Sequence, residues 1–287
     1  MAFRTVVISS HSKLEYSLNY LVFKTLNEVK RINISEIQTV IIESTAVSIT
    51  SALLIELSKR KIKVIFCDEK RNPNCELISY YGDSISSKRI SEQINWNDEI
   101  KDLVWQEIVK EKIKNQASVL YSVSETDACE LKRFAEDVLP GDISNREGHA
   151  AKYYFNRVYG KDFTRGTNDQ KNVYLNYGYS LILSQFNKVI VSKGYLTQLG
   201  IHHKNEFNQF NLSCDLMEPF RPLIDNKVFE LSDDNFKDEL INYLSSTVEI
   251  ANQKQTIVNA IQIYASSIFK ALNTNDVSQI KFIKINE

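Results

Sequence analysis

Near residue 85 the chain changes the spacing at which its apolar residues recur, from the period of strands to that of helices. No single layer of one secondary-structure type satisfies both spacings, so a β-rich part must be followed by a helical part. Before the change, Arg4 to Ser9 is a short Val/Ile run, and Leu14, Tyr16, Leu18 and Tyr20 alternate with polar residues as one half-buried strand. Thr39-Val40-Ile41-Ile42 and Val64-Ile65-Phe66-Cys67 are continuous apolar runs of strand length. Between them, Thr50 or Ser51 is placed to cap a helix carrying Leu53, Leu54 and Leu57 on one face. Asn72-Pro73-Asn74 reads as a turn and Glu76 to Tyr81 as the returning strand. Gly82-Asp83-Ser84 with Ser86-Ser87 marks the boundary.

From about residue 88 the helical period takes over. Trp96 to Val123 carries Leu103, Val104, Ile108, Ile113 and Leu120 at spacings suited to one buried stripe, and Ile257, Ile261, Tyr264 and Ile268 repeat the pattern near the end. The fold class expected is α+β, with a small β-rich domain over residues 1–84 and a larger all-helical domain over residues 85–287.

Composition narrows the class of function. Hydrophobic residues make up 43% and charged residues 25%, as in ordinary soluble globular proteins. With Gly at 8 and Pro at 4, long disordered or low-complexity tracts are excluded. No apolar run approaches the roughly 20 residues of a membrane span, and Met1 to Ile8 is expected to be no secretory signal, so the expected location is cytoplasmic. Cys67, Cys75, Cys129 and Cys214 lack the spacing of a zinc site and are expected to be reduced thiols. The net charge of -1 shows no excess of positive charge, so any nucleic-acid contact requires Lys and Arg clustered on one face.

Three segments carry residues suited to chemistry. Pro140-Gly141-Asp142 is a turn, and Ser144-Asn145-Arg146-Glu147 has the form of a capping box ahead of a helix that stops near Gly160. On local grounds Glu147 is therefore a cap, contributing about 1 kcal/mol. Asn168 or Asp169 starts the next long helix, which runs to Lys193, with Gly194 placed as a left-handed cap. Then Leu199-Gly200-Ile201-His202-His203 delivers adjacent histidines, whose side chains point in different directions and do not naturally share one ion. A pair of surface histidines is the plain reading there.

The third segment is Asp215-Leu216-Met217-Glu218-Pro219-Phe220-Arg221-Pro222. Its prolines bias Glu218 and Arg221 away from helical geometry and make the stretch rigid. Taken together, the carboxylates and an imidazole form an oxygen-rich donor set suited to Mg²⁺ or Mn²⁺, ions that act on phosphoryl oxygens. Lys152, Tyr153, Tyr154, Arg157, Arg165, Lys171, Tyr174 and Tyr177 crowd the same stretch of chain, and tyrosines at helical spacing are more often core than base-stacking platforms. Nothing local brings Glu147, His203 and Glu218 together in space.

These segments resemble those of the CRISPR-associated Cas-one integrase family. Glu147-Gly148-x-Ala150-Ala151-x-x-Tyr154-Phe155 is similar to the family's first catalytic segment, and Tyr177-Gly178-Tyr179 to its central helix. Gly200-Ile201-His202-His203 is similar to its glycine-hydrophobic-hydrophobic-histidine signature, with His202 standing where the family usually has an apolar residue. Asp215 to Pro222 is nearly its most specific string, and Thr39 to Glu43 and Phe66 to Lys70 agree more loosely. The flavour is that of systems with a single large effector nuclease (type II).

The resemblance implies a dimerising β domain over residues 1–84 and a helical catalytic domain over residues 85–287. Glu147, His203 and Glu218 would be catalytic and would hold one Mg²⁺ or Mn²⁺, with Asp215 supporting. DNA contacts would involve Lys152, Arg157, Arg165, Lys171, Tyr174 and Arg221. The activity implied is insertion of short captured DNA into a CRISPR array, by attack of a 3′-hydroxyl on a phosphodiester. A homodimer, the captured duplex, the repeat DNA, the small Cas-two protein and other adaptation proteins are the implied partners. A plain metal-dependent nuclease and a non-catalytic DNA-binding scaffold are the alternatives.

Overall fold

The structure of the protein, a computed structural model, describes residues 4–71, 73–80, 85–167, 169–231 and 235–285. Asn72, Tyr81, the Gly82-Asp83-Ser84 boundary and Asn168 lie outside the described residues. The chain divides into two compact units, residues 1–84 and 85–287.

In the first unit, strands β1 (Arg4–Ile8), β2 (Ser12–Ser17), β3 (Tyr20–Lys24), β4 (Val29–Asn33), β5 (Ile37–Ile42) and β6 (Val47–Ile49) precede helix α1 (Ser51–Lys59), and β7 (Lys63–Cys67) and β8 (Pro73–Glu76) follow it. They form two four-stranded sheets, ordered β4-β3-β2-β6 and β1-β5-β7-β8. The continuous apolar runs are the two central strands of the second sheet, paired parallel, with Val40, Ile41, Val64 and Ile65 buried. Thr50 caps α1, its hydroxyl accepting from the Leu53 amide.

Two strand expectations are corrected. The alternation from Leu14 to Tyr20 spans a hairpin rather than one strand: Leu18 and Asn19 both have positive φ (48° and 69°) and form the two-residue turn between β2 and β3. Leu18 is consequently 86% exposed. The strand expected at Glu76 to Tyr81 lies earlier, because Pro73 opens an edge strand where its missing N–H costs no ladder bond.

The second unit contains α2 (Ser86–Ile94), α3 (Asp98–Tyr121), α4 (Glu125–Glu136), α5 (Arg146–Val158), α6 (Gln170–Ser192), α7 (Asn211–Met217), α8 (Arg221–Glu230), α9 (Phe236–Tyr243) and α10 (Ile257–Thr274). Local signals set the helix ends. Asn97 and Asp169 accept from the amides of Glu99 and Lys171 at the starts of α3 and α6, and Gly194 follows α6 with φ 82°. Leu103 is exposed, off the stripe of Val104, Ile108, Ile113 and Leu120 that α3 buries.

This unit is not all-helical. Strands β9 (Thr247–Ile250), β10 (Gln253–Thr256) and β11 (Ile283–Lys284) form a three-stranded antiparallel sheet. Ala251 and Asn252, both with positive φ, make its hairpin turn, and paired Ile250 and Ile283 are buried. Its strands are too short for periodicity to reveal.

Helices α6 and α8 approach closely. A Cβ on Gly178 would lie 2.5 Å from Ile224 Cγ2, so only glycine allows this crossing to seat the segment that carries Glu218.

Candidate active site

The carboxylate of Glu147 does not cap its helix. Asp142, with φ 49°, accepts from the amides of Arg146 (2.8 Å) and Glu147 (3.0 Å), while the buried Ser144 hydroxyl has no hydrogen-bond partner. The capping box is therefore replaced by an aspartate two residues earlier than expected. The Glu147 side chain in the first turn of α5 is left to ion-pair with Lys112 on α3.

Glu218 comes to the same ammonium, its Oε2 2.5 Å from Lys112 Nζ. The expectation that proline 219 and proline 222 pull Glu218 and Arg221 out of helical geometry is corrected: their φ/ψ are -53°/-45° and -55°/-43°. Each proline sits in the first turn of a new helical segment, where its missing N–H has no helical partner. Asn115 of α3 fixes this turn by donating to the Pro219 carbonyl at 2.9 Å. Arg221 Nε donates to Glu218 Oε1 at 2.8 Å, and its guanidinium lies 4.6 Å from the centre of the Tyr179 ring.

Burial alone would raise the pKa of Glu218, but Arg221 and Lys112 outweigh it and hold the carboxylate well below the ordinary range. Burial likewise opposes the charge on Lys112, yet Glu218 and Glu147 raise its pKa above that of an ordinary lysine. The cluster is a paired network of the Glu147 and Glu218 side chains with the Lys112 ammonium and the Arg221 guanidinium.

His203 is set by Asp215 of α7, which is fully buried. Asp215 accepts from the backbone amides of Ile201 (2.6 Å), His202 (3.0 Å) and His203 (3.1 Å), and His203 Nδ1 lies 2.5 Å from its Oδ1. A carboxylate only accepts, so Nδ1 carries the proton, and in the neutral ring Nε2 keeps its lone pair. The hydrogen bond to Asp215 raises the pKa of His203 against burial, and the fields of Glu218 and Glu147 add to the rise. These three candidate residues thus lie within electrostatic reach of one another. The neighbouring His202 has a different partner: its ring stacks on Trp105 with centroids 4.4 Å apart and stands edge-on to the His203 ring at 5.7 Å, and burial lowers its pKa.

Sequence reading missed the role of α3. Trp105, Lys112 and Asn115 sit on one face of that helix and meet His202, the Glu147/Glu218 pair and the Pro219 turn. The available signal was a lysine and an asparagine four and seven positions after Ile108, where an apolar stripe should continue. A cavity of about 500 Å³ opens beside His203, lined among others by Lys101, Gln198, Lys204, Asn205 and Asn211.

The residues expected to touch DNA are dispersed. Lys152 is exposed on α5, and Arg157 lies over the Tyr153 ring and pairs with Asp127 at 3.2 Å. Arg165 bonds Asn172 and Asn176, at 2.8 Å for the latter. Lys171 donates to the carbonyls of Val228 and Leu231 (3.0 and 2.7 Å), away from the cluster. Tyr174 is buried with its ring stacked on Phe236, as the commoner reading of tyrosines at helical spacing holds.

Among the described residues no three His, Cys, Asp or Glu side chains stand close enough to grip an ion as they are. The donors nevertheless fit a hard divalent cation in kind. Glu147 and Glu218 already share one cation, the Lys112 ammonium, which meets the buried Glu218 Oε2 at 2.5 Å, and His203 offers Nε2 nearby.

No helix among the described residues is long and apolar enough to cross a membrane. The chain is 30% identical to the CRISPR-associated endonuclease Cas1 of Neisseria meningitidis serogroup C, over 99% of this chain and 97% of that one. A solved casposase bound to integration product superposes with a TM-score of 0.77 at 18% identity, covering 95% of this chain and 91% of that chain. A Cas6-RT-Cas1–Cas2 complex matches with a TM-score of 0.73 at 17% identity, covering 96% of this chain but 36% of that longer one. The family described as CRISPR associated protein Cas1 matches residues 5–246. With a fold of this kind, a carboxylate pair on a shared cation and a near full-length relative, the chain belongs to the Cas1 family.

Proposed function

We propose that the protein is a divalent-metal-dependent DNA integrase of CRISPR adaptation, which joins the 3′-hydroxyl of a short captured duplex to a phosphodiester at a repeat boundary. The observation that carries this reading is the convergence of Glu147 and Glu218 on one ammonium, with the oriented His203 beside them. Glu147, Glu218 and Nε2 of His203 would hold Mg²⁺ or Mn²⁺. When bound, that ion supplies Lewis acidity toward a phosphoryl oxygen and the attacking hydroxyl.

The chain's own residues do the rest. Asp215 keeps Nδ1 of His203 protonated, so the ring presents its lone pair in a fixed direction. Arg221, pinned on Glu218 and Tyr179, keeps that carboxylate ionised and in place. The attacking 3′-hydroxyl gives up its proton to solvent as its oxygen bonds to phosphorus, and the old 3′-oxygen leaves with the electron pair of the broken bond and takes up a proton from solvent. A phosphodiester is exchanged for a phosphodiester, so no nucleotide hydrolysis is needed. Lys152, Arg157 and Arg165 would take the DNA backbone, whereas Lys171, Tyr174 and Arg221 are engaged within the protein.

The net charge of -1 suits an enzyme whose DNA grip is shared. We infer a cytoplasmic homodimer through residues 1–84 that works with the small Cas-two protein and other adaptation proteins. The test is incubation of the full chain and its partner with a 3′-hydroxyl duplex and a supercoiled repeat-bearing plasmid, with and without chelator. Joined products that vanish with chelator are expected. Cut but unjoined plasmid would leave a nuclease, and metal-independent DNA binding alone would leave a scaffold.

A further inference from the structure

Lys112 is the one member of the charged cluster that the reaction above does not use, and its position is unusual for a lysine. Its side chain is 7% exposed and its ammonium lies between the two carboxylates proposed as ligands. Two carboxylates matched by Lys112 and Arg221 form an electrically neutral set. A dication entering that set meets two positive charges, and the attraction of the carboxylates is already spent on them.

The two resident cations differ in freedom. Arg221 is held by its hydrogen bond to Glu218 Oε1 and by the Tyr179 ring beneath its guanidinium. Lys112 ends in a point charge on a flexible four-carbon stem. Its route outward passes Glu147, whose side chain is 32% exposed, whereas Glu218 is at 7%.

We propose that Lys112 is a displaceable counter-cation, which holds Glu147 and Glu218 together until a divalent ion takes its place and then pairs with a phosphate of bound DNA. This rests on the metal-centre reading above. It makes Lys112 a positioning residue in the metal-free chain and a DNA contact in the loaded one. Because the phosphate gives the displaced ammonium a new partner, DNA and metal must each tighten the binding of the other by the same factor.

The test uses the full chain and Mn²⁺, with a short duplex ended by 3′-deoxynucleotides so that no joining occurs. Acetic anhydride labelling of the wild type, read by mass spectrometry, should leave Lys112 protected in chelator, exposed in Mn²⁺, and protected again when duplex is added. Mn²⁺ binding, read from the electron paramagnetic resonance signal of the free ion, should be at least about tenfold tighter in Lys112→Met than in wild type without DNA. The duplex should tighten Mn²⁺ binding more in wild type than in Lys112→Met. If the wild type binds no Mn²⁺, the metal centre is wrong and this inference falls with it. If it binds Mn²⁺ while Lys112 labelling is unchanged, or duplex tightens both proteins equally, the inference alone is overturned. The labelling arm needs no variant, so misfolding of Lys112→Met leaves the question decidable.

Discussion

His203 reaches Asp215 twice, through its ring Nδ1 at 2.5 Å and its own backbone amide at 3.1 Å, both on Oδ1. The double contact fixes ring and backbone together, and it leaves Nε2 rather than Nδ1 available to a ligand.

The adjacent histidines should therefore differ sharply on substitution. His203→Ala is expected to abolish strand joining even at high Mn²⁺, because one of the about three proposed protein ligands is lost. His202→Ala should retain substantial joining and lose about 1 kcal/mol of stability, the worth of its stacking on Trp105. Joining assays paired with melting curves check both, and the reverse pattern would show that His202 is the ligand.

Glu147→Gln separates chemistry from capping. Asp142 holds the first turn of α5, so the helix start does not depend on the Glu147 carboxylate. Joining should collapse while the melting temperature moves little. Asp142→Ala should instead cost about 1 kcal/mol in denaturant unfolding. Full joining by Glu147→Gln would remove it from the site.

Gly200→Ala tests the seat of the histidine turn. A Cβ there would stand 2.4 Å from the His203 carbonyl oxygen and 2.8 Å from Asp215 Oδ2, neither of which is a free chain end. Relief requires the turn to leave Asp215, so joining should fall at least about tenfold with an overpacking cost of about 1–3 kcal/mol. Wild-type joining by Gly200→Ala would mean the turn tolerates displacement.

Asp225 gives a pH signature. It is buried in α8, accepts from the Tyr179 hydroxyl, and leaves Oδ2 without a hydrogen bond. Burial pushes its carboxyl up to about 7, with Tyr179 and Arg221 opposing only in part. Unfolded, the group titrates near 3.8. Between those values the folded chain keeps a proton that the unfolded chain has lost, so stability falls as pH rises through this window and levels off above it. Asp225→Asn lacks that proton. Its stability advantage over wild type should therefore grow from about pH 5 to about pH 7, by at most about 1.4 kcal/mol per unit. Parallel urea titrations across that range would show equal slopes if the carboxyl is not raised.

Sequence by itself determined the order of the two architectures, because strand and helix periods are local properties of where apolar residues fall. It also determined helix ends such as Thr50, Asp169 and Gly194, where one side chain or one backbone angle decides the outcome. It misread segments where turn and strand share a pattern, as at Leu18-Asn19, and where prolines fall at helix starts rather than breaks. The meeting of Glu147 with Glu218, the different partners of His203 (Asp215) and His202 (Trp105) and the burial of Lys112 were decided only by tertiary structure. Each depends on α3 crossing segments distant in sequence, and a charge is stable in the interior only where packing brings its partners to it, which local spacing does not encode.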